Sequence, residues 1–224
     1  MTFKCGFCKK SFKKESTLAV HVCEKKRRHM VRDNKDAQLG FRTYQLFYKV
    51  GTNSKKEKTY EDFADSHYYT AFIKFATYCI DLKIDNVENY TTWLIRNQTR
   101  LDKWASDTVF NNYIKDRLKN ESVSRAVERT VLFLNEWASE NNTNYDNYFT
   151  MINTNIAVVH ICSGKISPWV LYASKGAQEL LNRMNDEQIR IISEYVDPHF
   201  WSIRIKRKVE DFVWVESVMK EAQL

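Results

Sequence analysis

Proline and glycine are scarce in this chain, with two and five among 224 residues. A many-stranded β fold needs such residues at its turns, so their scarcity points to long helices. No apolar run reaches the roughly 18 residues of a membrane-spanning helix, and no membrane partner is expected. No apolar secretory segment opens the chain. The expected setting is therefore the cytoplasm, or the host cytoplasm for a viral protein. Five cysteines, an odd count without a secretory segment, speak against a disulfide framework. Several catalytic signatures are missing as well. There is no phosphate-cradling glycine loop, no Gly-x-Ser-x-Gly elbow and no His-Glu-x-x-His pair. No Cys-x-x-Cys pairs with a His-x-Glu as in a zinc deaminase. The chain is expected not to be an enzyme. A metal-dependent nuclease is kept as a second alternative, because Asp, Glu and Lys drawn from separate helices leave little local trace.

Informative residues gather at the start. Phe3-Lys4-Cys5-Gly6-Phe7-Cys8 is followed by Phe12, Leu18 and His21. Two cysteines separated by two residues can both point at one ion from a tight turn, and a histidine from the next helix can join them. So short a segment cannot bury enough apolar surface to fold alone, and binding of zinc would supply its folding free energy. Two residues compete for the fourth position. Cys23 is close, but reaches the ion only if the helix breaks just after His21. His29 lies about 12 Å further along an ideal helix and needs a bend in the chain. Cys23 is the preferred ligand, giving Cys5, Cys8, His21 and Cys23, with His29 as the alternative.

Phe3, Cys5, Cys8, Phe12, Leu18 and His21 stand at the intervals of the classical two-Cys, two-His zinc finger, which residues 3–29 resemble. The resemblance implies a ββα-like module. It departs from the pattern after His21, where positions 25, 26 and 27 are Lys, Lys and Arg instead of a second histidine.

Charge marks the same stretch. Residues 1–32 hold ten Lys/Arg and two acids, a local charge of +8 against +7 for the whole chain. The rest of the chain is close to neutral. Lys9, Lys10, Lys13, Lys14, Lys25, Lys26, Arg27 and Arg28 form a footprint suited to phosphate backbones. Base-specific reading is not expected, since one finger spans only ~3 base pairs.

Beyond residue 32 the pattern is helical. Apolar residues recur at three- and four-residue intervals over 35–50, 59–82, 86–97, 106–119 and 122–139. The clearest stripe runs over 59–82 and includes His67 and Cys79, both expected in the core. Further helices are expected over 145–163, from Ser167-Pro168 to Leu181 with a break at Gly176, over 185–195, and from Asp197-Pro198 to Val218. Val158 and Val159 also suit a strand. Arg204, Lys206, Arg207 and Lys208 form a smaller basic cluster. Glu210 and Asp211 follow at once, so an ion-paired surface is expected there.

The expected architecture is mostly α. A zinc finger with its basic exit helix occupies 1–32, and an irregular multi-helix bundle occupies 33–224, with a hinge at 51–58. The whole chain also resembles small zinc-finger proteins of unknown function from large tailed bacteriophages. That likeness is carried by His21-Val22-Cys23-Glu24 with its Lys-Arg run, by Ile166-Ser167-Pro168-Trp169 and by Asp197-Pro198-His199-Phe200-Trp201. It implies an accessory role in an infected cell. The expected function is nucleic-acid binding through the basic module, with the helical body as a docking surface. The first alternative is an adaptor that binds a protein partner.

Overall fold

The computed structural model describes residues 2–52 and 56–224. It is mostly α, with one two-stranded sheet at the amino end. Two compact units divide the chain, Met1–Val109 and Phe110–Leu224. Among the described residues no helix is long and apolar enough to cross a membrane.

The first unit opens with strands β1 (Phe3–Lys4) and β2 (Ser11–Phe12), paired antiparallel with Phe3 opposite Phe12. Short helices α1 (Glu15–Ala19) and α2 (Glu24–Met30) follow. The body consists of α3 (Lys35–Gly51), α4 (Tyr60–Ala64), α5 (Tyr69–Asp81) and α6 (Val87–Arg96). Helix α3 packs on α5 and α6 around an aromatic core. Phe63, Phe72, Phe75, Tyr90 and Trp104 are buried, and Phe72 meets Tyr44 and Trp104 edge to face. Such pairs add to plain area burial because a ring edge is positive and a ring face negative. The hinge expected at 51–58 lies partly outside the described residues, which omit 53–55. Its far side is firm. Thr59 and Asp62 form a reciprocal capping box at the start of α4.

The stripe over 59–82 is two helices, not one. The chain turns between Ala64 and Tyr69, and His67 and Tyr68 are exposed there. His67 is therefore not a core residue, whereas Cys79 is buried as expected. The turn has a long-range cause. Arg28 Nη1 donates to the carbonyls of Ala64 (2.9 Å) and Ser66 (3.3 Å), which a continuous helix would have used internally.

The second unit holds α7 (Asp107–Asn120), α8 (Val123–Glu140), α9 (Tyr148–Met151) and α10 (Thr154–Cys162). It continues with α11 (Pro168–Ala173), α12 (Lys175–Asn182), α13 (Asp186–Val196), α14 (Pro198–Arg207) and α15 (Val209–Glu221). Helix α11 is central, with Pro168, Trp169, Val170 and Leu171 all buried against α8, α12 and α15. Its cap is buried too. Ser167 Oγ accepts from the Trp169 amide, while the Ser167 amide donates to Thr130 Oγ1 at 2.9 Å. Three expected helices are interrupted by side-chain caps or backbone turns. The helix over 145–163 breaks at Ile152–Asn153, where Asn153 caps α10, and Ile156 and Val159 face outward. The segment is helical and not a strand. The next break falls at Ser174, two residues before Gly176, because Ser174 caps α12. The last falls at Lys208, whose φ of −128° and ψ of 52° leave the helical region.

Gly164 ends α10 with φ 73°. Arg117 donates to the Ser163 and Gly164 carbonyls, and Arg129 donates to those of Gly164 and Lys165 while pairing with Glu121. A Cβ at Gly164 would sit 2.5 Å from Arg117 Nη2 and 3.1 Å from Ile114. Gly164→Ala should therefore destabilise the second unit by about 2 kcal/mol, combining left-handed strain with loss of the arginine cap. Urea melts of the two proteins measure it.

His160 accounts for a pH effect in the same unit. Burial, reinforced by Lys165, pushes its imidazole down to about 4 from 6.5, and Tyr148 Oη lies 2.8 Å from its Nδ1. Above pH 6.5 the ring is neutral whether folded or unfolded. Between 6.5 and 4 the unfolded chain takes up the proton first, so stability falls as pH drops. His160→Gln should lose less stability than the wild type between pH 7.5 and 4.5, as read by denaturant midpoints.

Candidate metal centre

Cys5 ends β1 at a tight turn. Its amide donates to the Lys10 carbonyl (2.9 Å) and its carbonyl accepts from the Lys9 amide (3.0 Å). Lys9 adopts φ 61° to close the turn. The amide N–H of Cys8 then points back at Cys5 Sγ. That hydrogen bond is the main reason the Cys5 thiol is pulled from 9.0 down to about 7, against the opposing effect of burial. A sulfur held this way is prepared to be a thiolate ligand.

Helix α1 is only five residues long and stops before His21. The chain therefore leaves the helical path at the point where a fourth ligand from Cys23 requires it. Phe12 packs against the His21 ring in a tilted contact, 4.7 Å between centroids, and limits its orientation. Cys23 is the residue preceding α2 and has an extended backbone.

These turns bring Cys5, Cys8, His21 and Cys23 together, with their ligand atoms all within 4.8 Å of one another. Cys5 Sγ lies 3.9 Å from Cys23 Sγ, and Cys8 Sγ lies 3.3 Å from His21 Nε2. A tetrahedral site with ordinary metal–ligand lengths has S···S edges of about 3.8 Å and S···N edges of about 3.6 Å. The thiols are free of disulfides. Donor type and spacing fit a metal ion. Four protein donors close such a site and leave no position for a reacting water.

His29 stands elsewhere. Its ring packs against Phe7 at 5.0 Å and Tyr60 at 5.7 Å, outside the four-residue group. It joins the finger to the helical body.

The basic residues divide by what they touch. Arg28 is only 19% exposed, stacks on Tyr69 at 4.4 Å and caps the end of α4, while Tyr60 Oη donates to its carbonyl. Lys25 pairs with Asp65 at 2.8 Å. Lys9 donates to the Gly6 carbonyl, and Lys26 to that of His21. Lys10 lies over Phe12, and Arg27 is a distant 3.9 Å from Glu24. Lys13 and Lys14 are exposed and form no ion pair among the described residues. The docking role of Arg28 left no trace in the local sequence, because its partners lie 36 to 38 residues away.

No family model, no curated protein and no solved structure matches this chain. The likeness to phage zinc-finger proteins thus rests on the sequence segments alone.

Cys23→Ser should lose its metal to a mild chelator, measured as metal bound per chain. His29→Ala should keep the metal and lose about 1 kcal/mol of stability in the first unit, the scale of its ring contacts.

Proposed function

We propose that the ion is zinc and that the finger is a structural module of a non-enzymatic accessory protein. It presents a basic surface to the phosphates of nucleic acid, and the helical units serve as docking surface. Three thiolates and an imidazole in a closed tetrahedral arrangement are the donors zinc takes in structural sites. The observation that carries the reading is the confinement of the chain's excess positive charge to residues 1–32, with Lys13, Lys14 and Arg27 turned outward. Contacts to phosphate need charge and reach, not base-edge geometry, so the surface is suited to binding without sequence preference. The side chains already engaged with the body, Arg28 and Lys25, hold the finger in place instead of reaching for phosphate.

A second reading is favoured by exposed apolar side chains on the same module. Val20 is 78% exposed and Met30 70%, and Phe7 and Val22 are open as well. An acidic protein partner with an apolar contact patch would cover both features.

The test is binding of the full zinc-loaded chain to a labelled DNA duplex between 50 and 200 mM salt. The expected result is a steep fall of affinity with salt. Lys13→Ala, Lys14→Ala and Arg27→Ala combined should flatten the log–log slope by about 3, near 0.9 for each phosphate contact removed. No binding at 50 mM salt overturns the nucleic-acid reading. Capture of an acidic protein through Val20 and Met30 would then establish the adaptor.

A further inference from the structure

The smaller basic cluster of the second unit is not the ion-paired surface its sequence suggests. Arg204, Arg207 and Lys208 line a cleft of about 500 Å³ with His199, Phe200 and Ile203. Lys208 pairs with Asp211 at 2.8 Å. Arg204 and Arg207 have no carboxylate partner among the described residues, although Glu210 and Asp211 follow closely in sequence. The one acid on the cleft wall, Asp197, is engaged. Its carboxylate accepts from the amides of His199 (2.9 Å) and Phe200 (3.4 Å) and caps α14.

Arg204 reaches from the cleft wall over two indoles that do not themselves line the cleft. The Arg204 guanidinium sits over the rings of Trp169 (5.8 Å) and Trp201 (5.4 Å), both fully buried. Its Nε is buried and has no acceptor, and neither indole N–H has one. Of these groups only Arg204 lines the cleft, and a buried donor without an acceptor there is one that a ligand or an ordered water can satisfy. Contact with two rings also restricts the guanidinium, so less freedom is lost when its fork closes on an oxygen pair. Beside it stand an aromatic ring, Phe200, with the Lys119 ammonium 5.2 Å from its centroid, and a half-exposed aliphatic, Ile203.

We infer that this cleft binds a phosphate carried on a flat aromatic base, as found in a nucleotide or in single-stranded nucleic acid. Arg204 and Arg207, one turn apart on α14, grip the phosphate in fork geometry. Phe200 and Ile203 supply the apolar wall for the base, the pairing of basic groove and stacking platform seen where single strands bind. A volume of this size suits one nucleotide. A lone carboxylate from an acidic peptide would leave the second guanidinium unmatched. The inference stands independently of the finger's role.

The experiment uses the full zinc-loaded chain in the background Lys13→Ala, Lys14→Ala, Arg27→Ala, so that the finger's charge does not mask the cleft. A labelled oligothymidylate is titrated by anisotropy, with thymidine monophosphate and polyglutamate as competitors. Binding should persist in this background. Arg207→Ala should weaken it about tenfold, the scale of a charge-assisted hydrogen bond. Arg204→Lys, which keeps the charge and loses the fork, should weaken it as well. Competition by thymidine monophosphate assigns the cleft to free nucleotides, and its absence assigns the cleft to a strand. Either outcome supports the site. Binding that ignores both arginine changes, or that is lost entirely with the finger's lysines, overturns the cleft while leaving the finger reading intact. Displacement by polyglutamate but not by nucleotide also overturns it, in favour of an acidic peptide.

Discussion

Within residues 2–32 a single side chain, that of Cys5, is buried. Phe3, Phe12 and Leu18, the natural core of such a module, are only half covered. Apolar burial of that size cannot offset the backbone entropy of ordering some thirty residues, which costs about 1–2 kcal/mol per residue. A metal held by the four converging side chains would supply what burial cannot, and would constrain everything upstream of α3. With a metal bound, the tight turn at Cys5–Lys10 and the short helix α1 are fixed by the same ion, and the Cys8 amide aimed at Cys5 already favours the thiolate form.

The finger's hold on the body centres on Arg28, with Lys25 and His29 beside it. Arg28 stacks on Tyr69, caps the end of α4 and accepts at its own carbonyl from Tyr60. Tyr60 in turn carries the rings of His29 and Phe41 and the guanidinium of Arg32. The exit helix and the first turn of the body are thus one packed cluster. This same contact splits the 59–82 stripe, because carbonyls satisfied by Arg28 no longer need a continuing helix.

Much of this was legible in advance, and the rest failed for identifiable reasons. Ligand spacing located Cys5, Cys8 and His21, because a tight turn and a following helix are local geometry. The brevity of α1 is local as well, and it is what allows Cys23 to join them. Helical periodicity placed α3, α6, α7 and α8 within a residue or two of their bounds. Periodicity could not reveal where a stripe is cut by a partner far along the chain, as at Ala64–Tyr69, and so His67 was assigned to a core it does not enter. Nor could it rank caps. Ser174 ends one helix and begins the next by accepting from the Ala177 amide, a stronger local event than the mere presence of Gly176. Counting charges had the same blind spot. It weighted Arg28 equally with Lys13, although one is a packed anchor and the other is open to solvent.

That distinction bears on how charge should be read on both units. A basic cluster becomes available to a ligand only when its own chain does not neutralise it. Around the finger, Glu24 and Asp65 are committed to Arg28 and Lys25, and Lys13 and Lys14 form no ion pair among the described residues, with Glu15 of α1 the one acid near them in sequence. On α14 the sequence supplies Glu210 and Asp211 nearby, yet the break at Lys208 turns the chain, and among the described residues Lys208 alone of Arg204, Arg207 and Lys208 finds a carboxylate. Backbone geometry, not sequence proximity, decides which charges cancel. In both places the cations without a carboxylate partner among the described residues stand on locally constrained elements, a turn beside the Cys/His cluster in one and a capped helix over two buried indoles in the other. Rigid support of that kind lowers the entropy lost on binding, and it gives a basic residue directional value beyond its charge.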